Sequence, residues 1–277
     1  MAKHRYGMDI AKITRFHEER RGEGQGADYK PWLTVQDLSS LGRSSRVWGW
    51  KTGRIHHFFS DHETRLFLIY QWSDAVTDIR EQFPLDQDTT LQLAESANIT
   101  HPKDPSSRTP IVMTTDFLID INCAGKTYQL ARAVKPSREL SNPRVIEKLE
   151  LERQYWLAQG IDWGIVTEHE ISTRLARNIA WANEMRILDS PSDSPMYWGN
   201  RCRQFLMQLI DSPDERLGGF LRQLEASAGF QQHEGLTVLR HLVAHKRIQI
   251  DMNRQLDLSG SLKQLVMETA DRQRMQA

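Results

Sequence analysis

Two acids and a lysine in the middle of the chain have the side-chain types that metal-dependent hydrolysis of a phosphodiester requires. Glu63 stands at the start of a helical pattern, Asp116 lies on a strand-like run, and Lys135 ends a second such run. Two carboxylates can hold Mg²⁺, which takes oxygen ligands and keeps several waters, one of them a nucleophile. A lysine beside that water orients it or stabilises the charge that develops on phosphorus. The three residues therefore predict a hydrolytic metal site if their elements converge.

The two strand-like runs, 111–119 and 127–135, are joined by a tight turn at 123–125. This hairpin carries Asp116 on its first strand and Lys135 at the end of its second. Three apolar residues follow Asp116, and a carboxylate on a buried strand is costly unless it is paired or binds a metal. A purely structural salt bridge between Asp116 and Lys135 is the alternative to a catalytic pair.

The helical pattern over 60–73 opens with residues at the spacing of a capping box. The apolar residues that recur with helical spacing are Leu66, Phe67, Ile69 and Tyr70, and Ser60 precedes them as a cap. Glu63 lies three residues after Ser60. Its carboxylate could simply accept the backbone amide of the cap residue. Both roles of Glu63, cap and ligand, stay open at this point.

The surrounding patterns predict an α/β domain with a mixed sheet. A strand over 76–83 stops at a proline, a helix over 143–159 begins with Asn-Pro, and a short buried strand follows at 163–166. The polar stretch between the first of these strands and the hairpin reads as an insertion. Because a helix between two strands makes a right-handed crossover, an antiparallel meander is followed by a parallel return.

Three segments of the chain differ in character. Residues 1–30 mix charges with glycines, so we expect an N-terminal extension that is partly disordered unless a partner binds it. Residues 31–168 form the α/β domain. Residues 169–277 are mainly helical, with helices expected at 171–188, 198–210, 216–227 and 235–246, followed by the alternating run RIQIDM. A helix feeding a short hairpin after earlier helices is the outline of a winged helix, a module that binds DNA or protein.

Composition indicates the size of the core, the net charge of the protein and the redox state of its compartment. The 277 residues include 39% hydrophobic ones, enough for a substantial core, and the formal net charge is zero. The two cysteines have no paired spacing, which favours a reducing cytosol and a cytoplasmic location. We expect neither a signal peptide nor a membrane span, since no apolar run approaches about 18 residues.

One local segment is basic despite the neutral whole. Between Asp37 and Asp61 the chain has no acid, and it carries the candidate DNA contacts Arg43, Arg46, Lys51 and Arg54. Trp48 and Trp50 are interleaved with them. Guanidinium groups pair with phosphates while indoles stack or pack, which suits a surface that follows a DNA backbone. The alternative is a loop whose tryptophans enter the core and whose charges are only solvated.

Several longer stretches resemble one family in their residues and order. They read SDHETRLFLIYQWSDAVTDIREQFPL, HPKDP, VMTTDFLID, AVKP, EKLELERQYW and WGIVTE. These stretches resemble TnsA, the endonuclease subunit of heteromeric transposases. The resemblance implies a restriction-endonuclease-like nuclease domain followed by a winged-helix-like domain. It also implies double-stranded transposon ends as substrate, cleavage of their 5′ ends, a TnsB-type recombinase that acts on the 3′ ends, and a TnsC-type ATPase regulator.

The resemblance also assigns roles to individual residues. Glu63 and Asp116 correspond to metal ligands and Lys135 to the catalytic lysine, with Mg²⁺ as cofactor. This superfamily usually has Glu, Asp or Gln two residues before the lysine, where this chain has Ala133. A methyl group cannot bind a metal, so either a backbone carbonyl such as that of Val134 completes the shell together with waters, or the site binds metal weakly. Further candidate helpers on the following helix are Glu147, Glu150 and Glu152.

Two other functions remain open from the sequence. Ala133 motivates a non-catalytic DNA-binding or adaptor subunit on a decayed nuclease fold. An autonomous restriction or repair nuclease is a third possibility, and the neutral net charge argues against it because a solitary DNA enzyme benefits from a wide basic surface.

Overall fold

The computed structural model describes residues 7–37, 43–212 and 214–268, which belong to two units, Met1–Ile171 and Ser172–Ala277. The first unit contains, in chain order, α1 (Ile10–Glu18), β1 (Ser45–Gly49), β2 (Arg54–Phe58), α2 (Asp61–Trp72), β3 (Val76–Pro84), α3 (Gln87–Ser96), β4 (Thr114–Cys123), β5 (Lys126–Val134), α4 (Pro143–Ala158) and β6 (Asp162–Val166). The second contains α5 (Thr173–Asn183), α6 (Tyr197–Asp211), α7 (Leu217–Ser227), α8 (Glu234–Ala244), β7 (Ile248–Gln249) and β8 (Val266–Met267). Within the described ranges, no helix has both the length and the apolarity that crossing a membrane requires.

The larger sheet of the first unit has the order β3-β4-β5-β6. β3 pairs with β4 and β4 with β5 in antiparallel fashion, whereas β6 returns parallel to β5. α4 forms the crossover between the last two strands, and Asn142 caps it ahead of Pro143. The predicted mixed α/β sheet is therefore confirmed.

The turn between β4 and β5 has the geometry of a tight hairpin. Cys123 pairs with Lys126, and the two residues between them, Ala124 and Gly125, both have positive φ angles (51° and 78°). Two left-handed central residues match the right-handed twist of the flanking strands. This turn sets the register that places the end of β5 beside the start of β4.

Apolar layers cover both faces of the sheet. The layer on the side of α2 includes Phe58, Phe67, Ile79, Phe117, Ile119 and Val134. The layer on the side of α4 includes Leu85, Ala94, Leu118, Ala131, Leu151 and Trp156. Ala94 belongs to α3, so the stretch between β3 and β4 that reads as an insertion contributes to the core.

The N-terminal segment packs within the first unit. Phe16 of α1 and Trp32 are fully buried against each other, with ring centroids 5.2 Å apart. Tyr29 and Trp32 bind the outer edge of β3: the Tyr29 hydroxyl donates to the Glu81 carbonyl (3.1 Å) and the Trp32 N–H donates to the Gln82 carbonyl (3.2 Å). Residues 7–30 thus differ from the expected extension ordered only by a partner, because their aromatic side chains are core residues. Residues 1–6 lie outside the described ranges.

The second unit is built around α8. This helix packs against α5, α6 and α7, and its inward side chains Val238, Leu239 and Leu242 are fully buried. β7 pairs with β8 over two residues in each strand, so the predicted strand RIQIDM is much shorter than its alternating pattern. The boundary predicted at 168/169 lies three residues before the division between the units, and the predicted domain limits stay predictions.

Candidate active site

Glu63 lies in the first turn of α2 and caps that helix. Its Oε1 accepts a hydrogen bond from the Ser60 hydroxyl (2.7 Å), and its Oε2 accepts one from the Phe59 N–H (3.1 Å). The Glu63 N–H donates in return to Ser60 Oγ (3.2 Å). These reciprocal bonds form a capping box in which the Phe59 amide replaces that of the cap residue. The capping interpretation of Glu63 is confirmed, and the cap fixes the carboxylate in one orientation.

Asp116 and Lys135 are in direct contact at the neighbouring ends of β4 and β5. Asp116 Oδ2 accepts from the Lys135 ammonium (2.9 Å) and from the Val134 N–H (2.7 Å). The same ammonium donates to the Val134 carbonyl (3.0 Å). The backbone of Lys135 is held in turn by its N–H bond to the Val166 carbonyl of β6 (3.1 Å). The structure thus brings together three of the four predicted site residues through hydrogen bonds.

Glu63 joins this pair through electrostatics. Burial and the negative charge of Asp116 raise the pKa of Glu63 to about 7, against the opposing effects of its hydrogen bonds and of Lys135. Partial burial acts to lower the pKa of Lys135, but the carboxylates of Asp116 and Glu152 dominate and hold it above its ordinary value. Lys135 therefore stays protonated at neutral pH. The charges of Asp116 and Lys135 both influence Glu63, and its place in one site with them stays a prediction.

Glu152 is a fourth charged group of this cluster. It is buried in α4, and its Oε1 accepts hydrogen bonds from the Thr115 hydroxyl (2.9 Å) and from the Trp163 indole N–H (3.0 Å). Burial, and after it the charge of Asp116, raises the pKa of Glu152 to about 7. Among the three acids of α4 considered from the sequence, this one faces the site.

The other two acids of α4 have structural partners. Glu147 pairs with Arg144 and Glu150 pairs with Arg153, each within one helical turn. A sequence signal could have separated Glu152 from them, because it lies on the helical face of the buried Leu149 and Trp156. A carboxylate on an apolar face is the exception that indicates a functional or paired group.

The oxygens of the site suit a hard divalent cation. In the ranges that the structure describes, no three His, Cys, Asp or Glu side chains converge closely enough to hold a metal by themselves. The Lys135 ammonium, however, bridges Asp116 Oδ2 and the Val134 carbonyl oxygen, so two of the residues predicted as ligands already place oxygens around a positive charge. Carboxylate and carbonyl oxygens are the ligands that Mg²⁺ prefers, with waters completing its shell. Burial first, and then the negative charge of Asp116, raises the pKa values of Glu63 and Glu152, and a cation held nearby would favour the charged form of both acids.

The basic segment divides into exposed and internal residues. Arg43 and Arg46 are exposed and Lys51 is half-buried. Arg54 is buried on β2 and forms two hydrogen bonds with the Glu81 carboxylate (2.9 and 2.6 Å). The prediction that Arg54 contacts DNA is wrong in this structure, because its guanidinium neutralises a buried acid. Arg43, Arg46 and Lys51 stay predicted contacts.

The exposed part of this segment is attached to the start of α2. Ser45 Oγ and Thr64 Oγ1 share a hydrogen bond (2.6 Å) one residue from Glu63. Of the two interleaved tryptophans, Trp48 is 51% exposed on β1, whereas Trp50 is partly buried and its backbone N–H donates a hydrogen bond to Gln71 Oε1 (2.7 Å). β1 therefore exposes Arg46 and Trp48, while its first residue, Ser45, is bonded to the start of α2.

Two family models and one relative match the sequence of this chain. The family model described as TnsA-like endonuclease N terminal matches residues 73–168, and the one described as TnsA endonuclease C terminal matches residues 170–252. The chain is 46% identical over 181 residues to the Transposon Tn7 transposition protein TnsA of Escherichia coli. That alignment spans 65% of this chain and 65% of the relative.

Both family models that match the chain carry the description of an endonuclease, which gives the class of protein that it resembles. The matched models describe the two halves of an endonuclease, and the N-terminal match includes Asp116, Val134 and Lys135 but begins after Glu63. The chain belongs to the TnsA family.

Proposed function

We propose that the chain is the DNA endonuclease subunit of a transposase and that it cleaves the 5′ ends of the transposon during cut-and-paste transposition. The observation that carries this proposal is the junction of Asp116, Val134 and Lys135, where a carboxylate, a carbonyl and an ammonium converge at adjacent strand ends. The 46% identity to a transposition protein supports the biological context. We also propose that the sheet unit is a restriction-endonuclease-like nuclease domain and that the helical unit is winged-helix-like.

The proposed reaction is Mg²⁺-dependent hydrolysis of a phosphodiester in double-stranded DNA. Asp116, the Val134 carbonyl and Glu63 would hold the cation, which when bound activates water and neutralises negative charge. Lys135 remains protonated and can stabilise the charge that develops on the phosphate or orient the attacking water. Glu63 is held by the α2 cap, so its carboxylate needs no reorganisation to face the site.

Partners follow from the proposed membership of a transposase. We propose that a TnsB-type recombinase processes the 3′ ends and that a TnsC-type AAA+ ATPase regulates both subunits. The exposed basic residues Arg43 and Arg46, with Lys51, would contact the DNA backbone beside the site. The helical unit is the proposed contact for the regulator or for DNA.

Reconstituted excision tests the catalytic assignment. In a reaction with both partners, Mg²⁺ and DNA carrying the transposon ends, we expect Glu63→Gln, Asp116→Asn and Lys135→Met each to reduce 5′ cleavage by at least about 100-fold, since each removes a group that stabilises the transition state. Mapping both strands by denaturing electrophoresis measures 5′ and 3′ cuts separately. Glu150→Gln, which alters a surface acid of α4, is the matched control and should cut at the wild-type rate.

A non-catalytic adaptor is the second candidate function, and Ala133 favours it. This residue is fully buried, and its methyl group provides no ligand at a position where related nucleases have an acid or amide. An adaptor predicts that the wild-type chain assembles with its partners and supports 3′ cutting while no 5′ strand is released at any Mg²⁺ concentration. Release of the 5′ strand by wild type but not by Asp116→Asn excludes the adaptor.

A further inference from the structure

One residue of the sheet has a backbone conformation that strands rarely contain. Gln82 lies within β3, is buried, and has a φ angle of +48°. Left-handed backbone is unfavourable for residues other than glycine and persists only where the surrounding structure enforces it. Such strain is concentrated at functional sites, which makes Gln82 a candidate for a role beyond the strand itself.

The left-handed residue reverses the side-chain alternation of β3. Ile79 packs in the layer on the α2 side, and Glu81 on the same side binds Arg54 of β2. Two residues further on, Phe83 packs against Trp156 of α4, on the opposite side, with ring centroids 5.8 Å apart. In a regular strand, residues two apart share a face. The alternation of side chains between the two faces of β3 therefore reverses at Gln82.

The side-chain alternation of β4 also reverses, at the residue that lies opposite Gln82. Phe117 belongs to the layer on the α2 side, whereas Thr115 accepts a hydrogen bond from the Trp156 indole of α4 (2.6 Å). Glu81 pairs with Phe117 and Phe83 pairs with Thr115, so the residue between them on β4 is Asp116. Both strands thus change face at the Gln82 and Asp116 positions.

The side chain of Gln82 reaches this same Asp116. Its Nε2 approaches Asp116 Oδ1 at 3.4 Å, and its Oε1 accepts a hydrogen bond from the Thr114 hydroxyl (3.1 Å). Asp116 Oδ2 is already occupied by Val134 and Lys135. The amide of Gln82 is therefore the contact that orients the remaining carboxylate oxygen.

We propose that Gln82 is a positioning residue of the active site, and this inference rests on the proposed nuclease function. Its left-handed backbone directs the amide towards Asp116 and fixes the carboxylate so that Oδ1 is available to the cation. The Val134 N–H and the Lys135 ammonium hold Oδ2, and the Gln82 amide adds the contact at the other oxygen, Oδ1.

Three substitutions separate the side chain from the backbone strain. Gln82→Gly relieves the strain and removes the amide, because glycine adopts positive φ without a steric penalty. Gln82→Ala keeps the strain and removes the amide. Gln82→Asn keeps an amide, one methylene shorter, in a residue type that tolerates left-handed backbone. A purely structural role predicts that activity follows stability, with Gly at or above wild type and Ala lowest.

A positioning role predicts a different order. We expect cleavage to fall by roughly 10- to 100-fold in both Gln82→Gly and Gln82→Ala, as for other residues that orient metal ligands, and less in Gln82→Asn. The Mg²⁺ concentration for half-maximal cleavage should rise in the same order. Thermal unfolding without metal should show Gln82→Gly at least as stable as wild type and Gln82→Ala less stable.

Metal binding without DNA gives a readout independent of cleavage. Thermal unfolding of the full chain titrated with Mn²⁺ or Ca²⁺ measures stabilisation by the cation, which should need higher concentrations in Gln82→Gly than in wild type. Wild-type metal affinity and cleavage in Gln82→Gly would overturn the inference. A wild-type protein that binds metal but never cuts, even with partners, contradicts the proposed function and leaves the metal titration to decide on Gln82.

Discussion

Glu81 shows how a single buried acid determines the roles of its neighbours. It is fully buried beneath the β1–β2 hairpin, where Arg54 donates to both of its oxygens and His56 Nδ1 lies 2.7 Å from Oε2. Burial alone would raise the pKa of Glu81, but the bonds to His56 and Arg54 outweigh it and lower the pKa to about 2. The ion pair of Arg54 with Glu81 therefore attaches the β1–β2 hairpin, on which Arg46 is exposed, to β3.

This acid should make the protein sensitive to low pH. Because the pKa of Glu81 is lower in the folded state, its contribution to stability is present above the unfolded value of 4.5 and is lost as the pH falls towards about 2. The contribution is on the order of 3 kcal/mol. His56 acts in the same direction, since burial lowers its pKa and acid favours the unfolded chain. Urea unfolding at a series of pH values measures the effect.

Glu81→Gln is the comparison for this titration. The variant should be less stable than wild type at neutral pH, because it leaves the buried Arg54 charge uncompensated. It should also lose less stability than wild type between about pH 5 and about pH 3. Parallel stability curves for the two proteins over that interval would show that Glu81 does not titrate as its contacts imply.

The N-terminal segment that contains Tyr29 and Trp32 protects the open edge of the sheet. β3 is the outer strand, and an exposed strand edge invites pairing with other chains. Tyr29 and Trp32 occupy backbone carbonyls along that edge, and the Gly26 N–H binds the Asp78 carboxylate (3.2 Å). Because Trp32 binds the carbonyl of Gln82, this segment also supports the strained residue next to Asp116.

Truncating the anchor of the segment should destabilise the protein and loosen that edge. Phe16→Ala removes a fully buried ring that packs on Trp32, and we expect a loss of about 3–5 kcal/mol in the free energy of unfolding. Ile10→Ala in the same helix is the control, since Ile10 is 73% exposed. Urea denaturation measures stability, and hydrogen exchange at β3 measures edge opening. Equal stability of the two variants would mean that α1 is dispensable.

Local patterns explain which elements could be predicted. The Asn-Pro cap of α4, the capping box of α2 and the two-residue turn after Cys123 each depend on residues close in sequence, and the sequence places them within a few residues. Three site residues, Asp116, Val134 and Lys135, follow from the same hairpin. Their meeting is a consequence of local register.

Long-range pairing explains what the sequence did not predict. From its local sequence Arg54 is interpreted as a surface cation, because its partner Glu81 lies 27 residues further along the chain. Residues 7–30 read as an extension because their few aromatic residues find partners only in the folded sheet. The left-handed conformation of Gln82 has no local signal, since glutamine is not a residue that favours it. In each case the deciding contact is distant in sequence.

At the scale of the whole molecule, charge balance limits how DNA is held. The chain has 36 basic and 36 acidic residues, so it has no general positive field. The proposed binding of DNA by the isolated chain therefore relies on local cations, and the predicted ones are the exposed Arg43 and Arg46 and the half-buried Lys51. Each cation that neutralises a phosphate releases counterions. It makes the slope of log K against log salt concentration more negative by about 0.9.

We therefore expect a shallow salt dependence that decreases stepwise with substitution. If these three cations are the main phosphate contacts, the slope of log K against log salt concentration should be about −2.7 for wild type and about −1.8 for Arg46→Ala. Fluorescence anisotropy with a duplex of arbitrary sequence measures both slopes. Arg153→Ala, on α4 and paired with Glu150, is the matched control and should keep the wild-type slope. An equal change in Arg153→Ala, or an unchanged slope in Arg46→Ala, would show that DNA follows another face of the protein, because counterion release reports only the cations that touch phosphate.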